Sequence, residues 1–346
     1  MIKDELTKFF NESKADAYIS EAFQTRLWFA NVITSDGYIV IEPSKAYIFV
    51  DGRYIEYVTK NAKNVEVKLL QKDSLSDFLK KKNYKKVAVD KDYLKLGTFE
   101  MFKSILPKAE FILVQGQKFR IKKDEEEVAK IQEACTLSLQ ALEEVKKILK
   151  VGITELQVSN KLGYLMRIFG AEKEGFDSIV AFGTNAAEPH HHPTNRKLAD
   201  GDIVKIDFGG QFGGYVSDIT RTFFFGKPKN PELVKILNIV TEAQKLGREA
   251  VKPGMSTKDI DNICREYIEK QGYGKFFTHS TGHGVGIDVH ELPYVNPTVG
   301  TILEEGMIIT VEPGIYVENL GGARIEDTIL VTKNGHLTLS RPNGEE

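Results

Sequence analysis

The chain has 346 residues, of which 41% are apolar and 28% charged, and a formal net charge of −2. At roughly 150 residues per domain this length suggests two domains with ample apolar surface for their cores. The near-neutral charge gives no reason to expect nucleic acid or an anionic membrane as partner, no apolar run reaches the length of a membrane span, and the charged opening MIKDELTKFFNESK lacks the apolar stretch of a signal peptide.

In chain order, six short runs rich in Val, Ile, Tyr and Phe read as strands. They are 15–20, 37–43, 46–51, 64–70, 86–90 and 109–114, alternating with polar, helix-compatible segments that include helix candidates such as 52–62 and 74–83. Together they predict a small α/β domain over residues 1–119. The basic run KKKNYKK (80–86) has no aromatic platform beside it and reads as a solvated helix end. The character changes near residue 120. Asp124, Glu125 and Glu126 suit the first turn of a helix, where negative charge complements the macrodipole. The stripe Val128, Ile131, Ala134, Cys135, Leu139, Leu142, Val145 then continues that helix. Cys135 and Cys264 lie far apart in helix-like stretches and read as core residues. A cytoplasmic protein is the simplest expectation.

Residues 120–346 contain an internal duplication. KVGITELQVSNKL (150–162) matches KPGMSTKDIDNIC (252–264), and His190-His-His-Pro matches His290-Glu-Leu-Pro. GDIVKIDFG (201–209) matches GMIITVEPG (306–314), and Ser217-Asp-Ile-Thr matches Ile325-Glu-Asp-Thr. The four matches keep their order at offsets of 100 to 108 residues. Two similar halves about a pseudo-twofold axis follow. Thr154 with Gln157, and Ser256 with Asp259, have the spacing of capping boxes.

The duplication pairs His190 with His290, Asp207 with Glu312, and Asp218 with Glu326. Carboxylates at the ends of apolar strands are expensive unless paired or bound to metal. Four of them meeting across a twofold call for a strongly positive partner. If the Gly-rich turn of 203–225 is centred between Gln211 and Gly214, Asp207 and Asp218 lie opposite each other with Cβ atoms roughly 5 Å apart. The segment 307–331 has the same form and brings Glu312 near Glu326. Paired carboxylates with one imidazole suit co-catalytic Mn, Co, Zn or Fe(II), and the lack of thiolates argues against a structural zinc site. Six of the seven histidines fall between His190 and His290. Among them His283 reads as the ligand, and His191 and His192 as polar loop residues. His336 follows Asn-Gly and reads as part of a hairpin turn.

These motifs, Asp207-FGGQFGGYVS-Asp218-ITRT, His279-STG-His283-GVGIDV-His290-E, Glu312-PG and GGAR-Glu326-D, resemble those of the pita-bread metallopeptidases. That family includes methionine aminopeptidase, aminopeptidase P and prolidase. The first region resembles the amino-terminal domain of the latter two and of creatinase. The resemblance implies an α/β amino-terminal domain followed by an α+β pita-bread catalytic domain. It implies two divalent metals, Mn or Co first and Zn or Fe next, on Asp207, Asp218, His283, Glu312 and Glu326. His190 and His290 would be catalytic without binding metal, and Glu312 would also act as general base. The implied protein is a homodimer acting on peptides. Its expected activity is Xaa-Pro aminopeptidase, with Xaa-Pro dipeptidase as the alternative. A creatinase-like hydrolase or a non-catalytic peptide-binding relative would not need five intact ligands. One departure is Glu188, at a position where an apolar residue often stands in the family. Arg324 is a conceivable captor of a carboxylate after proline, although its place in GGARIED favours a structural ion pair.

Overall fold

The computed structural model describes residues 3–341, and the chain divides between Arg120 and Ile121 into two compact units.

The first unit is a six-stranded sheet with helices. Its strands are β1 (Ala17–Ser20), β2 (Tyr38–Ile41), β3 (Ala46–Val50), β4 (Glu66–Leu69), β5 (Lys86–Asp90) and β6 (Glu110–Val114). Each falls inside one of the six apolar runs. The order is β4-β3-β2-β1-β5-β6, with β1–β2 and β2–β3 antiparallel and the other pairs parallel. Helices α1 (Asp4–Ser13), α2 (Phe23–Ala30), α3 (Ile55–Asn61), α4 (Ser74–Lys82) and α5 (Leu96–Ile105) complete it. α3 and α4 lie within the two named candidates, α2 and α5 in other segments between the expected strands, and α1 before the first of them. Ile19, Val40, Phe49, Val87 and Phe102 fill the core between sheet and helices.

The second unit begins with α6 (Glu125–Ile148) and α7 (Glu155–Phe169). Asp124 is the N-cap of α6 rather than a first-turn residue. Its carboxylate accepts the Glu127 N–H while Glu127 reaches back, a complete capping box. Thr154 and Gln157 close another on α7. Strands β7 (Lys173–Glu174), β8 (Ile179–Phe182), β9 (Ile203–Phe208), β10 (Gly210–Phe212), β11 (Tyr215–Val216) and β12 (Ile219–Phe224) follow. The second half repeats the plan with α8 (Pro231–Glu249), α9 (Thr257–Lys270) and strands β13 (Gly282–Gly284), β14 (Glu291–Val295), β15 (Ile308–Val311), β16 (Gly314–Val317), β17 (Gly321–Arg324), β18 (Asp327–Thr332) and β19 (Gly335–Thr338). Ser256 caps α9 through the Lys258 N–H, so the expected box with Asp259 is not formed.

α6 packs on α7 and α8 on α9. The duplicated segments occupy matching places: 150–162 and 252–264 start α7 and α9, and 201–209 and 306–314 run through β9 and β15. Helix pairs recur beside antiparallel strands, so one hydrophobic stripe per helix suffices to cover a sheet face. No helix among the described residues is long and apolar enough to cross a membrane.

Candidate metal centre

Two antiparallel hairpins deliver the carboxylates. In the first, Gly213 and Gly214, with φ of 56° and 79°, supply the two left-handed residues of a tight turn between β10 and β11. The turn therefore sits one residue later than the sequence suggested, and every cross-strand partner shifts by two. Asp207 faces Thr220, not Asp218. Because side chains alternate with period two, a two-residue shift leaves Asp218 on the same face as Asp207. Gly209 permits this crossing. A Cβ there would stand 1.8 Å from the Ser217 carbonyl oxygen, so no other residue fits beside Asp218. In the second hairpin Val311 pairs with Asp327 at the end of the β15–β18 ladder. Glu312 and Glu326 are the next residues along that register, as expected.

All five expected ligands line one cleft of about 420 Å³, together with His190, His191, His192, His279, His290 and Arg324. Ligand atoms of Asp218, His283 and Glu326 all lie within 4.8 Å of one another. His283 Nε2 is 3.2 Å from Glu312 Oε1 and 3.5 Å from Asp218 Oδ2. Its Nδ1 is 3.0 Å from the Gly284 carbonyl oxygen, which can only accept. That bond places the proton on Nδ1 and turns Nε2 toward the carboxylates.

The surroundings tie each acid down from one side. Arg324 Nη2 donates to Asp207 Oδ2 at 2.5 Å, and Thr220 Oγ1 donates to Glu326 Oε2 at 2.7 Å. The other oxygens of those two residues, Asp207 Oδ1 and Glu326 Oε1, are buried without a hydrogen-bond partner among the described residues. A buried oxygen with no donor is costly, and a cation in the cleft would satisfy both. Burial, and then repulsion from neighbouring carboxylates, push the Asp218 and Glu326 carboxyls well above the ordinary range. Burial also opposes charge on His283 and Glu312. Their mutual hydrogen bond and attraction outweigh it, holding His283 at about 9 and Glu312 at about 2. One imidazole, several carboxylates and no thiolate form a hard donor set fitted to divalent ions.

Further side chains surround the site, and of these the sequence marked only Arg324, as a member of a structural ion pair. Arg324 is spent on structure: Nε donates to Thr220 Oγ1, Nη1 to the Pro189 carbonyl and to the Tyr316 hydroxyl, and Nη2 to Asp207. Tyr316 OH also lies 2.8 Å from His279 Nε2. Glu291, next to His290, is buried, pairs with Lys123 at 3.2 Å, and accepts the backbone N–H groups of Ile287 and Asp288. These partners lie up to 168 residues apart, and no local spacing announces them. His336 stands outside the cleft, with Nδ1 3.0 Å from the Val251 carbonyl oxygen.

A carboxylate–imidazole cluster in a cleft between duplicated hairpins defines a metal-dependent hydrolase. The chain belongs to metallopeptidase family M24, matched over residues 129–333, and residues 3–121 match the creatinase/prolidase N-terminal domain. Its catalytic unit has the pita-bread fold. Over its length it is similar to the Xaa-Pro dipeptidase of Pyrococcus furiosus, at 37% identity with 99% of this chain and 98% of that one covered. Among solved structures, the Xaa-Pro dipeptidase from Bacillus anthracis superimposes with a TM-score of 0.93 at 35% identity, covering 99% of this chain and 97% of the other. The X-Pro aminopeptidase from Thermotoga maritima does so with a TM-score of 0.89 at 32% identity, covering 94% and 96%.

The cluster's titration gives a direct expectation for chelated protein. Asp218 and Glu326 keep protons in the folded state that the unfolded chain has released above its ordinary carboxylate range, so folding loses ground as pH rises. The raised His283 adds stability that is full below about pH 6.5 and is lost as pH climbs through 9. Glu312 works in the opposite sense, but only in acid well below this window. The cluster's contribution to the melting temperature of chelated protein should therefore fall from about pH 6 to about pH 9, against the buried Lys205, whose lowered pKa adds stability as pH rises. Divalent ions should raise the melting temperature and flatten that slope. A chelated His283→Ala protein whose melting temperature falls as steeply over this range as that of chelated wild type would contradict the part assigned to His283.

Proposed function

We propose that this chain hydrolyses Xaa-Pro dipeptides, using two divalent ions, manganese or cobalt, held by Asp207, Asp218, His283, Glu312 and Glu326. The observation that carries the reading is likeness across both units to proteins named Xaa-Pro dipeptidase. It puts the dipeptidase ahead of the aminopeptidase expected from sequence.

Ions bound there supply an acidified water and a polarised scissile carbonyl. The protein's own groups do the rest. Glu312, held ionised beside His283, accepts the attacking water's proton and returns it to the leaving imino nitrogen. His290 and His190, whose rings make no hydrogen bond among the described residues, donate to the oxygen that gains charge in the transition state. Thr220, Arg324 and the Gly284 carbonyl hold Glu326, Asp207 and His283 in place, so little reorganisation is needed during reaction.

A second reading, Xaa-Pro aminopeptidase, draws support from Arg324. It is the one arginine or lysine among the described residues lining the cleft, and its guanidinium is already engaged, which leaves it no free edge for a carboxylate directly after proline. Assaying Ala-Pro, Ala-Pro-Ala and acetyl-Ala-Pro-Ala with Mn²⁺ decides between the two. We expect Ala-Pro to be the best substrate and the acetylated peptide to be inert. Preference for Ala-Pro-Ala would establish the second reading. Cleavage of Ala-Ala-Ala with none of the proline peptides would overturn the substrate class.

A further inference from the structure

His190 is exposed in the cleft and its ring has no hydrogen-bond partner among the described residues, so its position is set by the backbone that carries it. From one side that backbone is held by the buried Lys205 and Arg324. Lys205 Nζ donates to the carbonyl oxygens of Ala186 at 3.2 Å and Glu188 at 2.5 Å, and Arg324 Nη1 to that of Pro189 at 3.1 Å. Immediately after His190 the anchor is a side chain. His191 is buried, with Nε2 2.9 Å from Glu155 Oε2 and Nδ1 2.7 Å from Glu188 Oε2.

Glu155 gathers the whole loop. It stands fully buried at the start of α7 and accepts the Phe182 N–H at 2.8 Å and the Thr194 N–H at 2.9 Å, the two ends of the segment. Asn185 Nδ2 and Thr194 Oγ1 donate to it as well. Burial disfavours its charge, but the bonds from Thr194, His191 and Phe182 outweigh that and hold its carboxyl below the ordinary range. Glu188 forms the outer arm. Its side chain is 68% exposed, so it contributes little to the core, yet it closes on the imidazole next to His190.

We propose that Glu155, His191 and Glu188 are positioning residues that lock the 182–194 loop so that the His190 imidazole meets the substrate carbonyl. The proposal rests on the reading of His190 as an oxyanion-stabilising group. Its physical basis is that neighbouring residues share a peptide plane: with its ring held by Glu155 and Glu188 the His191 backbone is fixed, and if that hold is lost a shift of the His191 backbone carries the Cα of His190 with it. A displacement of about 1 Å at such a group can cost on the order of 10²-fold in rate.

The test is a cycle of wild type, His191→Leu, His190→Ala and the double variant, each assayed on Ala-Pro with metal content and melting temperature measured alongside. His191→Leu should lower kcat about 10- to 100-fold with KM and metal content unchanged. In the His190→Ala background the same substitution should cost less than about 2-fold, because nothing is left to position. Glu188→Ala, which cannot unfold the protein through lost burial, should lower kcat several-fold at unchanged melting temperature. Glu188→Gln, which keeps an acceptor for Nδ1–H, should restore it. Equal costs of His191→Leu in both backgrounds, or a Glu188→Ala protein as active as wild type, overturn the clamp and leave the role of His190 standing. A fully active His190→Ala protein overturns that role and the clamp together.

Discussion

Asp218→Ala protein, and separately Glu326→Ala, should fold, bind less divalent metal than wild type and lose nearly all hydrolysis of Ala-Pro. Both carboxylates are buried, and each shares with His283 a set of ligand atoms within 4.8 Å. Removing either leaves that set one donor short and unbalances the charge presented to an ion. The loss should exceed the ~10³-fold that deletion of a single oxyanion donor costs, because the acidified water and the polarised carbonyl fail together. The fold should survive for a reason visible in the same cluster. Asp218 is buried and repelled by Asp207 and Glu312, with Glu326 close by, so without metal its ionisation is a liability. Chelated Asp218→Ala should consequently melt no lower than chelated wild type. Metal titration, activity and melting temperature measured on one preparation check all three statements, and a fully active Asp218→Ala protein would sink the assignment of this residue.

His290→Ala should separate chemistry from metal binding. The His290 ring centroid lies 4.3 Å from that of His283, close to the cluster, yet it is His283 whose nitrogen points at the carboxylates. Desolvation in the cleft and the adjacent His283 both keep His290 below its ordinary pKa, so at neutral pH it is a neutral ring with an N–H to donate. A donor aimed at developing negative charge is worth about 10²- to 10³-fold in kcat. His290→Ala should show that loss with metal content intact and KM little changed, whereas His283→Ala should release metal. Equal loss of metal from both variants would refute this division of roles.

The sequence by itself determined the strands of the first unit, the start of α7 and the metallopeptidase family. Six apolar runs rich in β-branched and aromatic residues became six strands of one sheet, because short runs of such residues bounded by turn-forming ones suit a pleated, buried surface. Thr154 and Gln157 announced the start of α7, since a capping box needs only residues three apart. The duplication brought out His190 with His290, Asp207 with Glu312 and Asp218 with Glu326, because a repeat exposes matched ionisable positions whatever the intervening structure. Register was another matter. Gln211-Phe-Gly-Gly can turn at more than one place, and only packing of the finished hairpin chose Gly213–Gly214 and set Asp207 opposite Thr220. The bounds of α1, α2 and α5 were not assigned either, since their helical faces are decided by the sheet they cover. The hydrogen bonds around the cleft were likewise beyond sequence. Arg324 meets Asp207 across 117 residues, and Glu155 meets His191 across 36. An acid in the first turn of a helix ordinarily reads as a partner for the helix dipole. That Glu155 instead turns inward to gather a loop depends on which segment the fold lays against it, and a buried carboxylate accepts whichever donors the tertiary structure brings.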